Sequence, residues 1–304
     1  MFSYLVCVKL DNNHENLVDF LEKRWKVRII SQLEDCLNFE MYQKVILITD
    51  AINHTLISKV QQFHSFLELI LLSEQTIDAL LPWFESGICK HLVALRNDPR
   101  IMCWELNAVI HNLLHDLPLI HHFDLPVENP VNENICYSDD RFQIIDEITD
   151  IVPKEQSRYP KMIRGIRSAL EELISNAFYD APVDQEGQHL YFLQDRVHPV
   201  RLSPEMPVSI QYGLNENVLW VSVKDCYGSL NPVKLFEILK CYYTNRGVSL
   251  RQGDGGAGFG LLIIYQSVSG LTIRVNPGKY TELTTCFILN ETTRNRKYKS
   301  LSIF

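Results

Sequence analysis

Short, almost uninterrupted apolar runs alternate with amphipathic segments through the first part of the chain, and this alternation most constrains the fold. The runs predict strands at residues 4–8, 27–30, 44–49, 67–72 and 91–95. The segments between and after them have helical spacing at residues 14–25, 51–63, 76–85 and 101–117. Continuous apolar runs are typical of strands buried on both faces, and helices linking such strands predict a parallel sheet with right-handed crossovers. We therefore expect a doubly wound α/β domain at residues 1–118.

Composition excludes several classes of protein. The chain has a formal net charge of −8 and is 46% hydrophobic, and this apolar fraction excludes intrinsic disorder. Its length of 304 residues favours two domains. No apolar run is long enough for a membrane span, and residues 1–12 lack the features of a secretory signal. The acidic balance argues against nucleic acid as the main partner. The eight cysteines occur singly, which predicts free thiols in a reducing cytoplasm rather than a zinc site or disulfides.

The second half of the chain has a different rhythm. Helices are predicted at residues 161–180, 232–242 and 261–268, and strands at residues 207–212, 218–223, 271–275 and 284–289. Helices layered on a largely antiparallel sheet predict an α/β sandwich at residues 140–290. Residues 119–139 collect prolines and asparagines without periodicity, which predicts an interdomain linker. Residues 291–304 are interpreted as a basic tail.

Three polar side chains on the long helix form the first candidate site. Glu172 and Asn176 are four residues apart and so project from one face, with Asp180 one turn further along. A carboxylate beside an amide oxygen suits a hydrated Mg²⁺ ion and an activated hydroxyl or water. A solvated helix face is the alternative interpretation.

Two further segments favour a nucleotide site. Asp225 ends a buried strand and could accept a hydrogen bond from an exocyclic amine such as that of adenine, although aspartate is also common where a strand enters a turn. Residues 253–260 contain five glycines and lead into a helix, whose N-terminus favours anions. This loop lacks the Gly-Lys-Ser/Thr ending of a Walker loop and does not follow the first strand of a βαβ unit. A flexible hinge is the alternative, and a phosphate-binding loop is favoured.

The order and spacing of these segments resemble the gyrase–chaperone–histidine-kinase (GHKL, Bergerat) ATPase superfamily. Residues 172–180 match its N box, E-L-x-x-N-A-x-x-D, and residues 256–261 match its second glycine box, G-x-G-x-G-L. The resemblance covers residues 140–290 and implies an α/β sandwich of this type, with ATP and Mg²⁺ as its ligands.

The resemblance also implies a role for individual residues. Glu172 is implied as the catalytic general base and Asn176 as the Mg²⁺ ligand. Thr285, on the last strand, is implied to support the adenine-reading Asp225. The first glycine box departs from the family pattern D-x-G-x-G, because Tyr227 and Ser229 replace its two glycines. The implied nucleotide-binding residues are Asn176, Asp180, Asp225, Gly228, Arg251, Gly256, Gly258, Gly260, Leu261 and Thr285.

Residues 1–118 resemble the receiver domain of a response regulator. Asp50 ends the third predicted strand, where a receiver has its phosphoacceptor, and Ser73 ends the fourth, where a serine or threonine is expected. The acidic pair after the first strand is replaced by Val-Lys-Leu at residues 8–10, and the lysine after the fifth strand by Arg-Asn at residues 96–97. Without the acidic pair, Mg²⁺ would be poorly held. We expect a degenerate, flavodoxin-like receiver that serves docking or dimerisation, with Asp50 as a candidate phosphoacceptor.

Together these features predict a cytoplasmic bacterial signalling protein in which a receiver-like domain regulates an ATP- and Mg²⁺-binding domain. The resemblance is greatest to serine/threonine kinases of the anti-sigma-factor type, which implies an unidentified regulatory partner protein, and a homodimer is a further candidate assembly. A catalytically silent, nucleotide-gated binding module is the first alternative. An atypical histidine kinase is the second, although no H-E-x-R-T-P-like sequence surrounds the upstream histidines.

Overall fold

The structure of the protein is a computed structural model. The structure describes residues 4–10, 15–31, 35, 42–50, 55, 58–59, 62, 66–96, 98–115, 130–154, 159–215, 217–243, 257–291 and 297–304. The chain divides into two compact units, the first formed by Met1–Asp124 with Lys297–Phe304 and the second by Leu125–Arg296. Among the described residues, no helix combines the length and the apolar character needed to cross a lipid bilayer.

The first unit is built on parallel strands. Its elements before the second unit are β1 (Tyr4–Lys9), α1 (Glu15–Glu22), β2 (Val27–Ile29), β3 (Lys44–Thr49), β4 (Leu67–Ser73), α2 (Ile77–Glu85), β5 (His91–Ala94) and α3 (Pro99–Leu114). The strands pair in the order β2-β1-β3-β4-β5, each parallel to its neighbours. Every end of these strands lies within one residue of the end predicted from the sequence. The predicted helix at residues 51–63 lies mostly outside the described residues.

Burial explains why the apolar runs identify these strands. Each of the central strands β3 and β4 is almost entirely buried, as their continuous apolar sequence requires. Leu17 and Leu21 of α1 and Leu106 of α3 pack into the same core cluster as the strands. Helix α3 begins at a proline, and the side chain of the preceding Asp98 accepts a hydrogen bond from the backbone N–H of Arg100.

The second unit is built on antiparallel strands. Its elements are β6 (Val131–Ile135), α4 (Asp140–Asp150), α5 (Tyr159–Ser175), a π-helical turn (Asn176–Asp180), β7 (Val208–Asn215), β8 (Val218–Asp225), α6 (Val233–Tyr243), α7 (Ala257–Ser267), β9 (Gly270–Asn276) and β10 (Tyr280–Ile288). The strands pair in the order β9-β10-β8-β7-β6, each antiparallel to its neighbours. Helix α5 packs against α4 and α7, and α7 packs against α6. The protein is therefore a mixed α/β protein.

The predicted linker at residues 119–139 needs correction, because strand β6 lies inside it. Residues 116–129 are outside the described part of the chain, and the boundary between the units falls between Asp124 and Leu125. Strand β6 has the sequence VNENI and pairs with β7 from Val131↔Tyr212 to Ile135↔Val208. Its backbone pairing, rather than an apolar pattern, makes it a strand, so its sequence does not distinguish it from a loop.

The predicted basic tail at residues 291–304 also needs correction. Residues Ser300–Ile303 form strand β11, which pairs antiparallel with β5 through Leu301↔Leu92 and Ser302↔His91. Leu301 is completely buried, and the hydroxyl of Ser300 accepts a hydrogen bond from the backbone N–H of Ala94 at 3.0 Å. The end of the chain thus belongs to the first unit, although it follows the second in sequence.

Candidate functional site

A cavity with an empty volume of about 710 Å³ opens in the second unit, beside the π-helical turn and strands β8 and β10. The lining combines apolar side chains with a few polar ones, as ligand pockets do. The lining residues are Leu173, Asn176, Ala177, Asp180, Ala181, His189, Phe192, Val223, Asp225, Ser229, Leu230, Asn231, Lys234, Leu261, Thr281 and Leu283.

The three polar residues predicted on the long helix lie together at one side of this cavity. Glu172 is in the last turn of α5, and Asn176 and Asp180 begin and end the π-helical turn that continues it. Phe178 and Tyr179 in the middle of the turn are buried, which anchors it in the core. Glu172 and Asp180 keep side-chain exposures of 20% each, so both carboxylates remain accessible.

Arg196, which the sequence analysis did not single out, joins these three residues. Its Nη1 donates to Oε2 of Glu172 at 2.8 Å, and its Nη2 lies 3.3 Å from both Oδ1 of Asn176 and Oδ2 of Asp180. One guanidinium therefore contacts all three of the polar side chains that the sequence analysis singled out, Glu172, Asn176 and Asp180. The arginine lies in the non-periodic segment before β7, where sequence spacing gives no indication of its partners.

The charges of this cluster influence one another. Burial raises the pKa of the Asp180 carboxyl, and the positive charge of Arg196 opposes that shift only in part. Burial by itself would lower the pKa of the Arg196 guanidinium, but its hydrogen bond to Glu172 and the nearby carboxylates raise that pKa above its usual value. Arg196 is therefore a permanent cation in this site.

The second glycine box lies against the same residues. Helix α7 begins at Ala257, so Gly258 and Gly260 are in its first turn, and Leu261 follows them into the cavity wall. A methyl group at Gly260 would be 2.5 Å from Oε2 of Glu172 and 3.2 Å from Oδ1 of Asn176. A side chain at this position would have to displace the carboxylate of Glu172, so the glycine lets α7 lie directly against the polar side chains of the site. Two other predicted residues, Arg251 and Gly256, lie outside the described residues.

Asp225 is held at the end of β8 by backbone groups. Its Oδ1 accepts hydrogen bonds from the backbone N–H groups of Tyr227 at 2.8 Å, Gly228 at 3.1 Å and Thr281 at 3.2 Å. The residue is 6% exposed, and burial raises the pKa of its carboxyl although these donors oppose the shift. The carboxyl group lines the cavity in a fixed orientation.

Gly228 has a structural role beside Asp225. It has a φ of +63°, and a methyl group there would lie 2.1 Å from the backbone oxygen of Asn276. Its neighbour Ser229 stands where the pattern D-x-G-x-G of the first glycine box has its second glycine. The Oγ of Ser229 donates to the backbone oxygen of Ala181 at 2.8 Å. The altered glycine box is therefore tied to the turn between β9 and β10 and to the end of the π-helical turn.

The role implied for Thr285 needs correction. Thr285 is paired with Val221, and its hydroxyl donates to the backbone oxygen of Val221 at 3.0 Å. Thr281 is the residue paired with Asp225, and it lines the cavity. The threonine that accompanies the aspartate is thus Thr281, one that the sequence analysis missed because the register of β10 against β8 is not visible in the sequence.

In the first unit, Asp50 directly follows β3 and Ser73 ends β4, where the backbone N–H of Gln75 donates to its Oγ at 3.0 Å. Arg96 follows β5 and forms a buried ion pair with Glu105, with contacts of 3.0 and 2.9 Å. Its Nη2 also lies 3.3 Å from Oγ of Ser300 in β11. Arg96 therefore links β5 with α3 and β11.

No protein-family model matches the sequence, and no curated protein is significantly similar to it.

Proposed function

We propose that the second unit binds ATP as a domain of the GHKL (Bergerat) type, in a bacterial signalling protein that carries a receiver-like first unit. One observation carries this proposal. Three segments separated by up to about eighty residues of sequence, around Asn176, Asp225 and Leu261, contribute side chains to a single cavity of about 710 Å³. The buried carboxyl of Asp225 at one side of the cavity is a partner for the adenine base. The exposed Lys234 on α6 is a partner for the phosphates.

The first unit supports the receiver-like part of the proposal. The parallel order β2-β1-β3-β4-β5 is the order of doubly wound, flavodoxin-like domains. Asp50 follows the carboxyl end of the central strand β3, the edge at which such domains bind their ligands. Arg96, the residue that replaces the receiver lysine, is engaged by its ion pair with Glu105, which argues against phosphorylation as the task of this unit.

The geometry favours a nucleotide-gated binding module over a kinase. The implied general base Glu172 accepts a 2.8 Å hydrogen bond from Arg196 on its Oε2, so this oxygen is already bonded to a donor and is not available to a substrate hydroxyl in this arrangement. The serine/threonine kinase remains a second candidate, since Glu172 and Asn176 both lie against Gly260 of the glycine box. In that case Glu172→Gln abolishes phosphoryl transfer to the partner, whereas a binding module keeps its ATP-dependent partner binding in this variant.

The Mg²⁺ ion that the resemblance implies does not fit the site in this arrangement. The amide oxygen of Asn176 and both carboxylates already bind the guanidinium of Arg196. One oxygen of Glu172, of Asn176 and of Asp180 is therefore already in contact with the positive charge of Arg196.

Calorimetric titration with ATP tests the proposed function. We expect the wild type to bind ATP, and Asp225→Asn to bind it at least about tenfold more weakly, because a buried polar contact to the base is lost. Lys234→Met removes an exposed charge that cannot be needed for folding, and we expect an affinity about threefold lower. The matched control is Lys161→Met, an exposed lysine of α5 away from the cavity, which should leave the affinity unchanged. No binding by the wild type at millimolar ATP would contradict the proposal.

A further inference from the structure

The backbone that carries Arg196 is held in position by hydrogen bonds to buried residues. The hydroxyl of the buried Tyr179 lies 3.2 Å from the backbone oxygen of Arg196 and 3.0 Å from that of His198. The tyrosine therefore donates a hydrogen bond from the core to the backbone of this segment. Two residues later, Val200 exchanges hydrogen bonds with Ser138, to whose Oγ its N–H donates at 2.9 Å. The backbone on both sides of His198 is thus fixed to the core of the second unit.

The guanidinium lies where a divalent cation would need its ligands. Mg²⁺ needs oxygen ligands at about 2.0–2.1 Å in a near-octahedral shell. Here Oε2 of Glu172, Oδ1 of Asn176 and Oδ2 of Asp180 are all within 3.3 Å of Arg196 nitrogens. A metal ion on the same oxygens would stand next to a permanent positive charge, and the two cations would repel each other.

The arginine also has capacity left for a ligand. A guanidinium has five N–H groups, and the contacts above use three of them. Its side chain is 34% exposed, so the remaining donors can be reached. Asn176 and Asp180, which it contacts, line the cavity. A planar fork of donors is suited to the oxygens of a phosphate group.

We propose that Arg196 is the fixed cation of this site, and that the cavity takes the polyphosphate of an adenine nucleotide without a divalent metal ion. This inference rests on the proposed function of the second unit. The arginine neutralises phosphate charge that a metal neutralises in other nucleotide sites, while Glu172 and Asp180 hold its orientation. Nucleotide binding by the wild type therefore requires no magnesium and depends on the arginine.

The test compares ATP titrations of the intact protein in buffer with magnesium and in buffer with EDTA. The wild type should bind ATP in EDTA at least as tightly as in magnesium, because the Mg²⁺ that ATP carries in the second buffer would be repelled by the guanidinium. Arg196→Met keeps an unbranched, though shorter, side chain and removes its charge and its donors, so in EDTA it should bind ATP at least about tenfold more weakly than the wild type. Magnesium should restore part of that loss, because the three oxygens are then free to coordinate a metal.

Arg201→Met is the matched control, because Arg201 lies five residues on, is exposed and stacks on Tyr137 instead. It should behave as the wild type in both buffers. Arg196 is itself partly exposed, and circular dichroism checks that its variant is folded. If wild-type binding requires magnesium, or if Arg196→Met binds ATP in EDTA as tightly as the wild type, the inference is wrong and the proposed function stands. If the wild type binds ATP in neither buffer, both fall.

Discussion

At the scale of single residues, two glycines with the same backbone conformation differ in what surrounds them. Gly228 and Gly278 have φ values of +63° and +69°. A methyl group at Gly278 has nothing within 4 Å, whereas one at Gly228 meets the backbone oxygen of Asn276 at 2.1 Å. Alanine substitutions at these two glycines therefore separate two energetic costs, that of the left-handed conformation and that of a clash with the backbone.

We expect Gly278→Ala to lower the free energy of unfolding by about 1 kcal/mol, the cost of an L-residue in this conformation. Gly228→Ala carries the same cost and also forces the β9–β10 turn away, so its loss should exceed that of Gly278→Ala by about 2 kcal/mol or more. Urea denaturation of both variants measures the difference. Equal losses would mean that the turn moves without cost, and that Gly228 does not fix the position of Asp225.

Most of the site could be predicted at this scale, and the exceptions have a common cause. Glu172, Asn176 and Asp180 are close in sequence, so helical spacing was enough to bring them together. Arg196 reaches them from sixteen to twenty-four residues away through a segment without periodicity. The choice between Thr281 and Thr285 depends on strand register, which is set by long-range pairing and turn geometry.

At the scale of elements, the strands divide into those that the sequence indicates and those that it does not. The strands of the parallel sheet are buried on both faces and therefore consist of apolar runs. Strands β6 and β11 are short, and β11 pairs with a strand about two hundred residues earlier in the chain. Their partners, rather than their own composition, make them strands.

The pairing of β5 with β11 covers a histidine that stays neutral in the folded protein down to acidic pH. His91 of β5 is 1% exposed, its ring lies 4.6 Å from that of Phe304, and no described group bonds to its Nδ1. Burial, with smaller contributions from the charges of Lys90 and Lys44, lowers its pKa from 6.5 to about 3. In the unfolded chain the same imidazole takes up a proton near its usual pKa.

Stability should therefore fall as the pH falls below the unfolded pKa of His91. Between its usual pKa of 6.5 and its folded pKa of about 3, the unfolded state binds one more proton than the folded state, so acid favours unfolding there. At pH values above that window, His91 contributes no pH dependence to the free energy of unfolding. We expect His91→Phe to have a shallower loss of stability between about pH 7 and about pH 5, measured by urea denaturation at each pH. An unchanged slope would assign the acid sensitivity to other groups.

At the scale of the whole molecule, the second unit interrupts the first in sequence. The chain completes β1 to β5, builds the second unit from Leu125 to Arg296, and returns to the first unit for its last strand. Ser300 of that strand bonds both the backbone of Ala94 and the side chain of Arg96, whose ion pair with Glu105 is itself buried. The first unit is therefore completed only when the rest of the chain is present.

Substitution within β11 should accordingly act on the first unit and leave the proposed nucleotide site intact. Leu301 is completely buried opposite Leu92, so we expect Leu301→Ala to lower the free energy of unfolding of the first unit by about 2–5 kcal/mol. Ile303→Ala is the control, since Ile303 is only partly buried, and it should cost less. Thermal unfolding is followed with and without ATP, because ATP bound at the proposed site would raise the transition of the second unit by mass action. In Leu301→Ala the transition that ATP does not shift should move down, while the affinity for ATP stays at its wild-type value. A loss of ATP affinity in this variant would mean that the two units are coupled energetically, and that the last strand contributes to the site as well as to the first unit.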